Sequence, residues 1–382
     1  MDFSLTDEQL AFGRTFEDFC QRVIAPRAAD TDRSGELDRA SWADLVEMGW
    51  FGLYAESAWG GTAEQVDWVI RAQAEESLAK ACAATFLSAG ASIGLCGAPL
   101  RLFGSPETQA RWLPRLVAGE AIGCFGLTEP DAGTDAASIR CRAARTEGGW
   151  RLYGEKALIT NAPLADVAVV MAVTDPDAGH MGVTAFCVDL SRPGVERTAP
   201  YRKLGLRGSP TGGLVFDGAF VPDVDVVGEV GAGFVQAMQT LEMGRISMSH
   251  FGIGIAEAAF EAACRYAQER KAFGRPIARK QAVHFKIADM KVMIDGARLM
   301  ARKAAWSKEA GLPCADLASI AKTFATEAAV KVADMAVQIH GGWGYTDDFP
   351  AERLLRDARL GPIGEGTSEI QRELIARSML SV

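Results

Sequence analysis

The sequence predicts an α+β multidomain protein: an all-α N-terminal domain (1–120), a central antiparallel β-barrel or sandwich-like domain (121–232) and a C-terminal four-helix bundle (233–382). Three observations predict it. Apolar residues recur at helical spacing up to about residue 120, the period falls to two from Ala121, and helical spacing returns after Gly233 in two long stripes. A chain of 382 residues can bury a large core and divide into two or three such units.

Thr6 and Gln9 form a capping box ahead of Phe12, Phe16, Phe19 and Val23, and Pro26 ends that helix. Ser41 is expected to cap a second helix, with Trp42, Leu45 and Val46 inward and Gly49 as its stop. Residues 79–95 are apolar nearly all round and predict a buried third helix; Ser105-Pro106 opens a fourth. Short period-two runs follow at 122–127, 139–145, 150–159, 167–173, 183–188 and 214–216. Gly148-Gly149, Asp175-Pro176 and Pro193-Gly194 punctuate them, and the β-region closes near Pro222 or Gly233. In the last region Val283, Ile287, Met290, Ile294 and Ala297 make one bundle seam. Leu317, Ile320, Phe324, Ala328, Val332, Met335 and Ile339 make the other.

A net charge of −9 argues against a broad nucleic-acid surface, although Arg270, Lys271, Arg275, Arg279 and Lys280 form a local cluster able to hold a phosphate. The eight cysteines have no paired spacing and read as reduced core residues of a cytoplasmic protein. No basic N-terminal region precedes an apolar run, and no uninterrupted apolar segment is expected to span a membrane. The four histidines are not spaced as metal ligands, and neither a P-loop nor a dinucleotide-binding glycine motif is present.

The most informative stretch is Gly364-Glu365-Gly366-Thr367-Ser368-Glu369-Ile370-Gln371-Arg372, where a carboxylate stands between glycines before a helix. Ser368 and Gln371 fit a capping box, and Ile370, Leu374 and Ile375 an apolar helix face. Neither explains Glu365, which small flanking residues leave open to close approach.

Four motifs in order carry a resemblance. Glu56-Ser57-Ala58-Trp59-Gly60-Gly61, the run from Phe125-Gly126-Leu127-Thr128-Glu129 to Asp135, Arg270-Lys271-Ala272-Phe273-Gly274 and Gln338-Ile339-His340-Gly341-Gly342 are similar to those of the acyl-CoA dehydrogenase family, over nearly the whole chain. The resemblance implies bound FAD and α,β-dehydrogenation of an acyl thioester. The α-proton is poorly acidic, so a carboxylate must be held against it in a dry site. By resemblance that base is Glu365; the position used by other members, just before an arginine, is Gly244 ahead of Arg245. The backbone N–H of Glu365 and an FAD hydroxyl would stabilise the thioester oxygen.

The resemblance places Phe125, Leu127, Thr128, Gly133, Thr134, Leu158, Ile159 and Thr160 at the flavin, with Leu158 where an aromatic residue is usual. Arg270, Phe273 and Gln281 would hold a neighbouring subunit's FAD, Gln338, Gly341 and Gly342 form another contacting turn, and Thr367 and Glu369 follow the base. Thr134, Arg245, Gly364 and Gly366 fall on the substrate side. Gly364 stands where aromatics are common, which implies a roomier acyl pocket; Phe86 and Gly90 give a distal carboxylate no anchor. The implied partners are an electron-transfer flavoprotein and further copies of the chain, as a tetramer or dimer. Competing readings are the same oxidation on a carrier-protein-bound acyl or aminoacyl group, a flavin monooxygenase, and a non-catalytic flavoprotein, the last two needing no Glu365.

Overall fold

The computed structural model describes residues 5–380; residues 1–4 and 381–382 of the two outer regions lie outside the described residues. Helix α1 (Asp7–Phe19) begins at the expected box, with Thr6 Oγ1 accepting from the Gln9 amide and Gln9 Oε1 from the Thr6 amide. After α2 (Ala28–Ser34), helix α3 (Arg39–Glu47) is capped by Asp38 and not by Ser41, which sits inside the first turn and donates to the Asp38 carboxylate. The expected third helix is also corrected. Cys82 is extended and separates α4 (Trp68–Ala81) from α5 (Ala83–Gly90), which runs through a π-turn (Ala91–Gly97) into α6 (Ala98–Phe103). Ala83–Phe103 is long and apolar enough to cross a membrane by composition, contrary to the expectation, but 78% of its apolar window is buried inside the protein. Helix α7 (Pro106–Val117) opens at Ser105 as expected.

The central strands are β1 (Gly123–Gly126), β2 (Arg142–Thr146), β3 (Gly149–Thr160), β4 (Val167–Val173), β5 (Val183–Asp189), β6 (Val195–Arg197), β7 (Thr211–Pro222) and β8 (Val226–Val227). They form one sheet in the order β6-β7-β3-β2-β4-β5-β8, with β1 added on β4. The expected antiparallel barrel or sandwich is therefore corrected to a mixed, open sheet. β1 pairs parallel to β4, β2 touches β4 in parallel, and the path ends at β6 and β8 without those two pairing. Alternation reports which face a residue takes but not strand direction, so the sequence left this unread. β4 is a continuous apolar run buried from Val167 to Ala172, and α8 (Gly233–Glu269) packs on its neighbour β5.

Helix α8, with α9 (Gln281–Glu309), α10 (Ala315–His340) and α12 (Ser368–Leu380), makes the bundle, and α4 lies on α8 from the N-terminal side. The α10 seam is built from Ala318, Ala321, Ala325, Ala329, Val332 and Ala336, all buried, while Phe324 of the expected stripe is exposed. Small residues let the backbones close in: a Cβ at Gly252 would lie 2.9 Å from the Ala325 carbonyl oxygen. The short helix α11 (Ala351–Ala358) ties the three regions. Its Arg356 holds Asp32 of α2 through both carboxylate oxygens (3.0 and 2.6 Å), binds Glu352 at 2.6 Å and donates to the Leu204 carbonyl at 3.2 Å. The adjacent Asp357 accepts from the Leu206 amide, and burial pushes its carboxyl up to about 6.

Candidate active site

The turn after α11 presents Glu365. Glu365 and Gly366 both have positive φ (56° and 95°), a conformation that costs a non-glycine residue about 1–3 kcal/mol unless its surroundings enforce it. Here they do. Gln371 Nε2 reaches the carbonyls of Glu365 and Gly366 at 3.2 Å each, and Lys322 Nζ donates to the Gly366 carbonyl at 2.6 Å. Thr367 Oγ1, not Ser368, receives an α12 amide, that of Ile370 at 3.3 Å; Gln371 braces the turn instead of closing a box. A Cβ on Gly366 would lie 3.0 Å from Ile370 Cγ2, so this glycine serves the turn more than it clears a path for substrate.

Glu365 as a residue is partly exposed, but its Oε2 has no solvent contact and no hydrogen-bond partner. Desolvation pushes its carboxyl up to about 7, against the pull of Lys322 and Arg245, while Glu75 adds to the rise. The two cations are themselves destabilised by burial. Lys322, fully buried, falls to about 8, and Arg245 is also lowered, with its Nε unpartnered. A Cβ on Gly244 would overlap Glu365 Oε2, so the glycine before Arg245 is needed for the carboxylate to occupy this point. The Glu365 N–H meets no backbone or side-chain acceptor among the described residues.

On the sheet, Phe125 and Leu127 are buried and Thr128 half-buried. Glu129 explains why this segment holds its path. It accepts from the amides of Arg140 and Cys141 (2.7 and 2.9 Å) and pairs at 2.7 Å with the fully buried Lys156, which also donates to the Leu127 carbonyl at 3.1 Å. Desolvation lowers the Lys156 ammonium. The β3–β7 register shifts between Lys156 and Ile159, and at that irregularity Leu158 takes φ 58° and stands 67% exposed. Ile159 points into the core, so its side chain is turned from any site on the Leu158 face; Thr160 is half-buried beyond it. Gly133 and Thr134 are exposed.

A second set gathers elsewhere. Arg270, Gly341 and Gly342 line an open groove of about 570 Å³ with Tyr266, His340 and Trp343, whose lining includes neither Glu365 nor the β3 residues. Gln338 and Gln281 are exposed, and Phe273 is 91% exposed at φ 53°. Cβ positions on Gly341 and Gly342 meet nothing, which leaves backbone open to close approach beside a free guanidinium. That combination fits a dinucleotide's phosphates. Glu369 is exposed and Thr367 half-buried after the base turn.

Sequence reasoning missed three buried polar groups: Lys322, the Lys156–Glu129 pair, and a cluster of Tyr54, Arg71, Glu75 and Ser247. The last has a sequence signal, since Arg71 and Glu75 are one helical turn apart and share a helix face between Trp68 and Leu78.

Three family models match the chain in order: the acyl-CoA dehydrogenase N-terminal domain over residues 6–120, the middle domain over 124–219 and the C-terminal domain over 231–380. The probable acyl-CoA dehydrogenase YngJ of Bacillus subtilis is 42% identical over 381 residues, covering 100% of both chains. The short-chain-specific acyl-CoA dehydrogenase of Megasphaera elsdenii is 39% identical over 382 residues, again 100% of both. The solved butyryl-CoA dehydrogenase from Megasphaera elsdenii superposes with a TM-score of 0.96 at 38% identity and complete mutual coverage.

Proposed function

We propose that this chain, which belongs to the acyl-CoA dehydrogenase family, uses Glu365 to remove the α-proton of a short acyl thioester. The observation that carries the reading is the buried, unpartnered Oε2, held at the point a Gly244 side chain would otherwise occupy. Proton transfer to Oε2 needs the carboxylate form, which Lys322 and Arg245 favour against desolvation. The free N–H of the same residue supports a role in receiving the thioester oxygen as charge builds on it. FAD, when bound, accepts the hydride leaving the β-carbon. Phe125, Leu127 and Thr128 would orient it through backbone and hydroxyl groups, with Gly133, Leu158, Thr160, Thr367 and Glu369 near it and Thr134 and Arg245 toward the substrate.

The pH profile tests the base. Below its pKa of about 7 the carboxyl is protonated and cannot accept the α-proton, so anaerobic flavin bleaching by butyryl-CoA should accelerate from pH 6 toward pH 8 and then level. A rate that falls over this range would remove Glu365 from the role.

Regions 1–120, 121–232 and 233–382 would serve as the three domains, and the oligomer would be a tetramer. Arg270, Phe273, Gln281, Gln338, Gly341 and Gly342 would then reach a neighbouring subunit's FAD, a reading supported by the exposure of Phe273 and by the separation of their groove from Glu365. Arg270→Ala should loosen FAD about tenfold or more by equilibrium dialysis, as loss of a charge-assisted contact does. Electrons would pass to an electron-transfer flavoprotein. Eight unpaired cysteines, seven of them buried, suit a cytoplasmic enzyme.

Gly364 does not have positive φ, and a Cβ there would meet Leu360 Cγ only at 3.6 Å. Glycine is thus not demanded by the backbone, and acyl-pocket room is the remaining use. Gly364→Tyr should cost branched thioesters about tenfold or more in kcat/KM relative to linear ones. Equal losses for both classes would refute it.

A further inference from the structure

We propose that Arg71, Glu75, Tyr54 and Ser247 form a polar floor to the acyl pocket, and that the preferred acyl group carries an uncharged hydrogen-bonding tip, a hydroxyl or a carboxamide. The proposal rests on the reading of Glu365 as the base.

Tyr54, Arg71 and Glu75 are deeply buried, Arg71 at 5% and Glu75 at 1% exposed, and Ser247 is half-buried. Arg71 Nε donates to Glu75 Oε1 and Nη2 to Ser247 Oγ, each at 2.8 Å. Its guanidinium carbon lies 3.9 Å from the centre of the Tyr54 ring and 4.4 Å from that of Trp68, so the group is fixed in place. Glu75 Oε1 also accepts from Tyr54 OH at 2.8 Å and Ser247 Oγ at 2.7 Å. Three of these four bonds converge on one carboxylate oxygen, Glu75 Oε1. Glu75 Oε2 and Arg71 Nη1 bond to no described residue, and both ring nitrogens of His250, one turn beyond Ser247, are buried without a partner.

Position links the cluster to the reacting carbon. Ser247 follows Gly244 by one turn of α8, and Gly244 abuts the Glu365 carboxylate. Opposite, a Cβ on Gly94 would lie 3.3 Å from the Tyr54 ring and 3.9 Å from Arg71 Nη2, while one on Gly90 would meet only Phe86, at 3.9 Å. Gly90 and Gly94 thus put no side chain of their own into the space beside Phe86, Tyr54 and Arg71.

A plain alkyl end would cover the Arg71 Nη1 donor and the Glu75 Oε2 acceptor without matching either, which is costly. A hydroxyl or carboxamide answers both, donating to Glu75 Oε2 and accepting from Arg71 Nη1. A carboxylate answers only Arg71, whose charge Glu75 already neutralises, and stands against Glu75 Oε2.

The test compares butyryl-CoA, 4-hydroxybutyryl-CoA and glutaryl-CoA, read as kcat/KM by the FAD-loaded enzyme and as Kd by calorimetry with its Glu365→Gln form. The hydroxylated thioester should lead butyryl-CoA by about tenfold or more in both readouts, with glutaryl-CoA last. In an Arg71→Leu/Glu75→Met double variant the lead should pass to butyryl-CoA; replacing a buried pair by apolar residues of similar volume is generally tolerated by the fold. Butyryl-CoA matching the hydroxylated thioester in the unsubstituted pocket would overturn the proposal, as would glutaryl-CoA leading or the double variant keeping the original order. Failure of Glu365 as base is seen separately, as flavin bleaching by Glu365→Gln, and leaves the wild-type kcat/KM order to decide the floor.

Discussion

Glu365→Gln should retain FAD, assemble and bind thioester, yet reduce its flavin more slowly by at least the upper part of the roughly 10²–10⁴-fold range typical of a lost general base. The amide keeps the size of the carboxylate, and its backbone can hold the same positive-φ turn through Gln371 and Lys322. What it lacks is an oxygen able to take a proton from carbon. Stopped-flow mixing with butyryl-CoA under anaerobic conditions reads the loss directly. A near wild-type bleaching rate would assign the base elsewhere.

Lys156→Met should be the most damaging single change away from the base. The ammonium is wholly buried between Glu129 and the Leu127 carbonyl, so its removal leaves a buried carboxylate with only the Arg140 and Cys141 amides to answer its charge. Breaking such a pair from one side costs about 3–5 kcal/mol. Thermal unfolding should shift down by several degrees. Flavin retention should fall with it, because Leu127 and Thr128 belong to the segment Glu129 anchors. Adding Glu129→Leu should restore much of the stability and little of the flavin retention. An unshifted unfolding curve for Lys156→Met would show that the pair does not support the fold.

The α–β–α order and the stretch around Glu365 are legible because each rests on local pattern. The losses are non-local or concern near neighbours of equal chemistry. Asp38 and Ser41, three residues apart, are both good caps, as are the adjacent Thr367 and Ser368, and only geometry chooses between them. Phe324 looks like core by size, yet the seam of α10 goes to alanines because α8 approaches closely at Gly252. Strand direction in β1 and β4 leaves no mark on alternation. Lys156 is invisible as the partner of Glu129 because the pair is made between a loop and a strand 27 residues on. The motif that carries Glu129 is readable; the reason it needs a glutamate is not.

Arg356 and Asp357 join α2, the 204–206 segment and α11 immediately before the turn that carries Glu365. The near end of that turn is therefore fastened to parts of the chain more than 300 and about 150 residues earlier. A half-made chain, or one with its first helices unlatched, lacks the fixed point from which the carboxylate is aimed. Chemical competence is then a late event in folding, gained only once all three regions have closed on one another.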